Sequence, residues 1–172
     1  DRDGLIPSGG AASLILESYE SAMERGAPIL AEVVGYGFSS NGEHISNSNV
    51  DGQVRSLKMA LNDSKLAASD VDYINAHATS TPGGDLAEAS AIDAVFGESR
   101  PMVSSTKSMT GHLLGAAGGL ETIFCIKAIE DQIIPPTINL ENPDSECDLN
   151  YTANTPQKRN VRYALNNSFG FG

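Results

Sequence analysis

The sequence predicts an α/β fold, a mixed sheet with helices on both faces, in one domain spanning residues 1–172. Short segments rich in β-branched and aromatic residues alternate with longer stretches of helical apolar spacing. Seventeen glycines and eight prolines punctuate them. Two of the three histidines sit in dense turn sequence where an extended segment gives way to a helix, the place where an open α/β sheet keeps its ligands. One core is enough, because a chain of this size buries about 70% of its unfolded surface.

The elements follow in order. After Gly9-Gly10, residues 11–17 read as a mostly buried strand and 19–25 as a short helix closed by Gly26. Residues 29–38 read as its hairpin-like partner strand, and 39–48 as a polar loop that holds His44. From Asn49, the apolar positions Val50, Val54, Leu57, Met59, Ala60 and Leu61 recur at helical spacing, ending near residues 62–64. Residues 67–70 lead into a strand at 71–76. A Thr-Ser-Thr-Pro-Gly-Gly turn follows, then a helix from about Asp85 to Phe96. Residues 102–105 form the next strand.

Thr110 is the expected N-cap of a helix reaching Asp131, with Leu113, Leu114, Ala117, Leu120, Phe124 and Ile129 as its apolar contacts. Gly115, Gly118 and Gly119 each cost about 1 kcal/mol relative to alanine in such a helix, so they imply close backbone packing. Pro135-Pro136 blocks continuation. Residues 149–152 and 161–168 read as final strands on either side of the basic turn Lys158-Arg159-Asn160.

Acidic residues number 22 against 11 basic ones, for a net charge of −11, and no basic run occurs. Nucleic acid and an anionic membrane are thereby disfavoured as partners. The longest apolar stretches, residues 12–16 and 122–126, are far shorter than the ~20 residues of a membrane span, so a soluble protein is expected. Two cysteines without zinc-type spacing predict no disulfide framework and a reducing, cytoplasmic setting. The start at Asp1 and the turn-like finish Ser168-Phe169-Gly170-Phe171-Gly172 read as an internal piece of a longer protein.

The chemistry gathers in two motifs. His77 would leave the carboxyl end of a strand, in a turn whose Thr79 and Thr81 hydroxyls can bond backbone or a ligand's amides. His112 would occupy the first turn of a helix, where the dipole favours neutral imidazole. Lys107 adds a positive charge, and the three together suit a developing enolate or thioester oxyanion. A nucleophile is lacking. Cys125 lies on an apolar helical stretch where burial disfavours the thiolate, and Cys147 sits between Glu146 and Asp148, whose charges oppose ionisation. His44 reads as a surface residue.

Residues 75–85 and 107–118 resemble the two histidine motifs of the β-ketoacyl-[acyl carrier protein] synthases. Arg2-Asp3-Gly4 resembles the entry to that family's C-terminal half, and residues 167–172 resemble its last glycine-rich active-site loop. The resemblance implies a thiolase-type fold of two similar halves, each with a mixed five-stranded sheet; this chain would be the C-terminal half. It implies a nucleophilic cysteine in the N-terminal half, so that this piece alone would be inactive. It also implies decarboxylative condensation of malonyl-[acyl carrier protein] with an acyl chain in fatty acid biosynthesis. The implied partners are acyl carrier protein and a second copy in a homodimer.

By the same resemblance, His77 and His112 bind the malonyl thioester and stabilise its enolate, and Lys107 orders the site. Thr79 and Thr81 bond the pantetheine arm. Phe169 and Phe171 belong to the substrate-binding loop, with Phe171 as gate. Asp85, Glu88 and Glu121 anchor Lys107 and its loop. No cofactor is implied, apart from a structural monovalent cation framed by Asn75, Glu121 and Asn166. Histidine at both positions resembles the elongating branch, while Gly9 departs from the glutamate that many members carry. Three alternatives stand beside this: a polyketide ketosynthase, a non-catalytic partner subunit of a condensing enzyme, and a metal-dependent hydrolase with His77, His112 and Asp85 as ligands.

Overall fold

A computed structural model describes residues 2–171. Asp1 and Gly172, the ends of the predicted domain and of its closing glycine-rich string, lie outside them. Helix α1 spans Tyr19–Glu24, where the Ser18 hydroxyl caps the Ser21 amide at 3.3 Å and Gly26 at φ 65° closes it. Helix α2 spans Val50–Ser64, started by Asn49, whose side chain accepts from Gly52 N at 2.7 Å. Both ends agree with the capping signals in the sequence.

The strands expected at residues 11–17 and 29–38 enter no ladder among the described residues. Their side chains stand in the open: Ile15 is 92% exposed, and Leu16, Val33, Tyr36 and Phe38 are also exposed. β-Branched and aromatic composition marks fitness for a half-buried pleated surface, and strand formation also needs a neighbour to accept the backbone bonds. Residues 35–38 instead lie along α2, where Tyr36 N donates to the Asp63 carboxylate at 2.9 Å.

The sheet itself is short and central. Strand β1 is Tyr73–Asn75 and β2 is Met102–Ser104. They are separated by α3, Pro82–Phe96, which starts three residues earlier than expected with proline in its first turn. After β2 come α4, Lys107–Thr110, and α5, Ala117–Asp131. Strands β3 (Ile133–Ile134), β4 (Asn150–Tyr151), β5 (Gln157–Lys158) and β6 (Ala164–Asn166) complete the set. The main sheet runs β4-β2-β1-β6, all parallel, while β3 and β5 pair antiparallel as a separate ribbon. Parallel and antiparallel pairing are both present as expected, with four strands rather than five in the described main ladder.

Alternation along β1 sends Ile74 to one face and Tyr73 with Asn75 to the other. Ile74 and Val103 pack with Leu57 of α2 and with Ala91 and Ile92 of α3. Tyr73 and Met102 pack with Cys125 and Ala128 of α5, with Ile134 and with Val161. Helices therefore cover both faces. No helix among the described residues is long and apolar enough to cross a membrane.

One expectation fails in an instructive way. Thr110 ends a four-residue helix instead of capping a long one, and the chain breaks at Gly111, φ 69°, before α5 begins at Ala117. His112 therefore lies in the break, outside the first helical turn, and the dipole argument for it falls away. Of the three glycines, a Cβ on Gly118 would meet Ser168 Oγ at 2.9 Å and one on Gly119 would meet Ala12 at 3.1 Å, whereas Gly115 faces open space.

Candidate active site

Strand β1 lies between β2 and β6, parallel to both, so the carboxyl ends of the three strands open on the same edge of the sheet, where such sheets keep their ligands. His77 follows β1, Lys107 follows β2, and Asn167 with Phe169 follows β6. The structure brings the two predicted imidazoles together: the rings of His77 and His112 are 5.3 Å apart between centroids, at 85°. Phe169 stands edge-on to His77 at 6.3 Å. Phe171, by contrast, is 81% exposed.

Each ring has its own environment. Burial, reinforced by Lys107 and then His112, pushes the His77 imidazole down to about 3. Its Nδ1 is buried without a hydrogen-bond partner. His112 is also lowered, by burial first and Lys107 second. Its Nδ1 accepts from Leu114 N at 3.2 Å, which leaves the proton of the neutral ring on Nε2. Neutrality is thus supplied by burial and a neighbouring ammonium in place of a helix terminus.

Lys107, 7% exposed, pairs with Glu121. Burial raises the Glu121 carboxyl, and the Lys107 ammonium opposes that rise. The remaining acids differ from expectation, since both Glu88 and Asp85 hold the His77 turn instead of the Lys107 loop. Glu88 accepts from His77 N at 2.9 Å, Ala78 N at 2.7 Å and Asn167 Nδ2 at 2.9 Å, with burial raising its carboxyl. Asp85 accepts from Ser80 N at 3.1 Å, and burial, then Glu88, pushes it up to about 6. Thr79 and Thr81 bond each other at 3.1 Å. Both threonines, both histidines, Phe169 and Phe171 line one broad open depression.

For a hard cation, carboxylate and amide oxygens are the ligands of choice. Glu121 Oε2 and Asn166 Oδ1 are buried without hydrogen-bond partners among the described residues, so these two fit such an ion. Asn75 is engaged with Thr106 at 3.2 Å. No group of three His, Cys, Asp or Glu side chains able to hold a metal ion occurs among the described residues, which leaves the hydrolase reading without a site. Cys125 is buried, its thiol pushed up to about 12 chiefly by burial. Cys147 is buried with an Arg2 guanidinium on its sulfur at 3.4 Å.

Sequence reasoning missed Asn167, which joins the closing loop to Glu88, and Ser105, whose hydroxyl donates to Ala78 O at 3.0 Å. The available signal was a polar residue directly after a strand.

Residues 30–141 match the family described as the β-ketoacyl synthase, C-terminal domain. The chain belongs to the β-ketoacyl synthase family. It is 46% identical to 3-oxoacyl-[acyl-carrier-protein] synthase 2 of Vibrio harveyi and 49% identical to its Staphylococcus aureus namesake, over 99% of this chain in each case. The chain spans only 42% and 43% of those relatives' lengths. Among solved structures, it resembles the ishigamide ketosynthase/chain length factor, with a TM-score of 0.97 and 43% identity, covering 99% of this chain and 42% of that one. It also resembles a ketosynthase in complex with its type II PKS acyl-carrier protein, with a TM-score of 0.86 and 42% identity, covering 90% and 39%. The thiolase-like α/β fold expected for a β-ketoacyl synthase is therefore present.

Proposed function

We propose that the full-length protein is a 3-oxoacyl-[acyl carrier protein] synthase that elongates acyl chains in fatty acid biosynthesis, an acyltransferase to which this chain contributes His77, His112 and Lys107. The observation that carries the reading is the pair of neutral imidazoles 5.3 Å apart, one of them with Nε2–H free to donate. The nucleophilic cysteine is assigned to the rest of the protein, because Cys125 and Cys147 are both buried and burial pushes the Cys125 thiol up to about 12.

In the proposed reaction the bond between the malonyl carboxylate and its α-carbon breaks and carbon dioxide leaves. The electron pair spreads onto the thioester oxygen, where His112 Nε2–H and the His77 ring donate hydrogen bonds. Donors fixed at the site of developing charge need no reorganisation as the charge appears. The carbanion then attacks the acyl thioester carbonyl, and the cysteine leaves as thiolate. Thr79 and Thr81 bond the pantetheine arm, and Phe169 beside His77 bounds the acyl side, with Phe171 as the gate. Asp85 and Glu88 hold the His77 turn. Glu121 and Asn166 would hold a structural monovalent cation, which would supply positive charge beside the second Glu121 oxygen.

The proposed partners are acyl carrier protein and a second copy of the full-length protein, in the cytoplasm. At −11 this chain offers little to an acidic carrier, so the docking patch draws on basic residues elsewhere in the protein. Likeness to the ishigamide ketosynthase/chain length factor favours a polyketide ketosynthase as the second reading. Full-length protein given acyl and malonyl carriers decides between them: one condensation to a β-ketoacyl product two carbons longer supports the first, and repeated condensation without reduction supports the second. Absence of both products and of carbon dioxide would overturn the proposal.

A further inference from the structure

The residues ahead of α1 lie outside the matched family region, which begins at residue 30, yet they touch both histidine loops. Gly4 N donates to Ser80 O at 2.9 Å, in the turn that carries His77. His112 N donates to Ile6 O at 2.8 Å, and Ser8 N donates to His112 O at 3.0 Å, so both backbone groups of His112 are bonded to one segment. Pro7 and His112 form a parallel bridge. The outer end is pinned by Arg2, whose guanidinium donates to Asp144 at 2.7 Å and to Cys147 Sγ.

Gly111 makes room for this contact. A Cβ there would stand 2.9 Å from Ile6 O and 2.9 Å from Ser8 Cβ, on a backbone already at φ 69°. Gly10 behaves similarly, since a Cβ on it would stand 2.5 Å from Leu113 Cδ2. The segment therefore lies flush along the break between α4 and α5, where both backbone groups of His112 are bonded to it rather than to a helix.

We infer that residues 4–8 are a positioning strap that sets where the His112 imidazole stands relative to His77, an inference that rests on the condensing reaction proposed above. His112 sits in a helix break, so its backbone has the strap for a frame, and the bond to Ser80 references that frame to the other histidine. Gly4, Ile6 and Ser8, which make the strap's hydrogen bonds, stand back from the depression that the histidines line, to which the strap contributes Leu5. They act through His112.

The test uses full-length protein and two half-reactions, malonyl decarboxylation and acyl transfer to the nucleophile. Ser8→Pro removes the N–H that holds the His112 carbonyl, and should lower the decarboxylation rate about tenfold, given how steeply rate depends on sub-ångström placement. Acyl transfer should be unchanged, and Ser8→Ala, which keeps the N–H, should restore the rate. Arg2→Gln, which loosens the outer pin, should lower decarboxylation about threefold and serves where Ser8→Pro does not fold. Unchanged decarboxylation in a folded Ser8→Pro or Arg2→Gln protein, or equal loss in both half-reactions, would overturn the strap. Absence of decarboxylation in the unaltered protein would instead overturn the condensing reaction; the strap is then read from hydrogen exchange at the His112 amide. That amide should be protected in the parent and faster in either variant, and equal exchange counts against the strap.

Discussion

His77 and His112 present the same imidazole to one depression but are held there by different means. His77 follows directly from a buried strand, and its backbone is gripped by the carboxylate of Glu88, in the second turn of α3. His112 follows a glycine break, and its backbone is gripped by other backbone, from residues more than a hundred positions earlier in the chain. The first arrangement depends on one ionisable side chain. The second depends on no side chain but on the absence of one at Gly111. Substitutions should therefore separate the two histidines even though the proposed reaction uses both.

The largest expected effect falls on the group common to both. Lys107→Met leaves Glu121 buried without its counter-ion, and breaking such a pair costs about 3–5 kcal/mol, measurable as a shift in denaturant midpoint. Because the ammonium helps to depress both imidazoles, their titration should move upward together, and unequal movement would sharpen which ring it serves more. Next, His112→Ala should lower malonyl decarboxylation by about a hundredfold or more with the fold intact, the effect of losing one oxyanion donor. Unchanged carbon dioxide release would remove His112 from the chemistry.

Glu88→Gln tests the side-chain-held histidine. An amide nitrogen would face one of the N–H groups that the carboxylate now accepts, leaving buried donors unsatisfied at a cost of about 1–3 kcal/mol. The loss should appear in both thermal stability and decarboxylation, whereas the strap variant Arg2→Gln should spare stability. Equal effects from the two sets would erase the contrast.

A smaller effect concerns pH. The folded value of His77, about 3, lies below its ordinary 6.5, so the unfolded chain binds more protons between these values. Stability from this group is then complete above pH 6.5 and is lost as pH falls toward 3. Asp85 runs the other way: raised to about 6 from 3.8, it contributes below pH 3.8 and loses that contribution as pH rises through 6. Asp85→Asn should therefore flatten the second trend and leave the first, which denaturation at pH 4, 5 and 6 would reveal. Smallest of all, Cys125→Ala should leave condensation by the full-length protein within about twofold, since a buried thiol pushed to about 12 supplies no thiolate.

Much of this was legible in the chain itself. The Gly26 stop, the apolar spacing of α2, the turn before α3 and the strand-to-turn junction at His77 are local signals, written in residues that contact their own neighbours. So were the pairing of two histidine motifs with Lys107 and the unsuitability of Cys125, which follow from composition and apolar context.

Two expectations went astray because the deciding partner is distant. Residues 11–17 and 29–38 have strand composition, but a ladder depends on a neighbour, which propensity cannot supply. The helix expected to run unbroken from Thr110 to Asp131 is broken where His112 bonds to residues 6 and 8, a long-range choice that no window of helical spacing contains. The sequence by itself singled out the residues proposed to carry the chemistry and determined the α/β class that frames them, since residue type and periodicity are local properties. Only the tertiary structure decided that Glu88 holds His77, that residues 4–8 hold His112 and that the rings meet at 5.3 Å, because each depends on hydrogen bonds between segments that the chain order keeps apart.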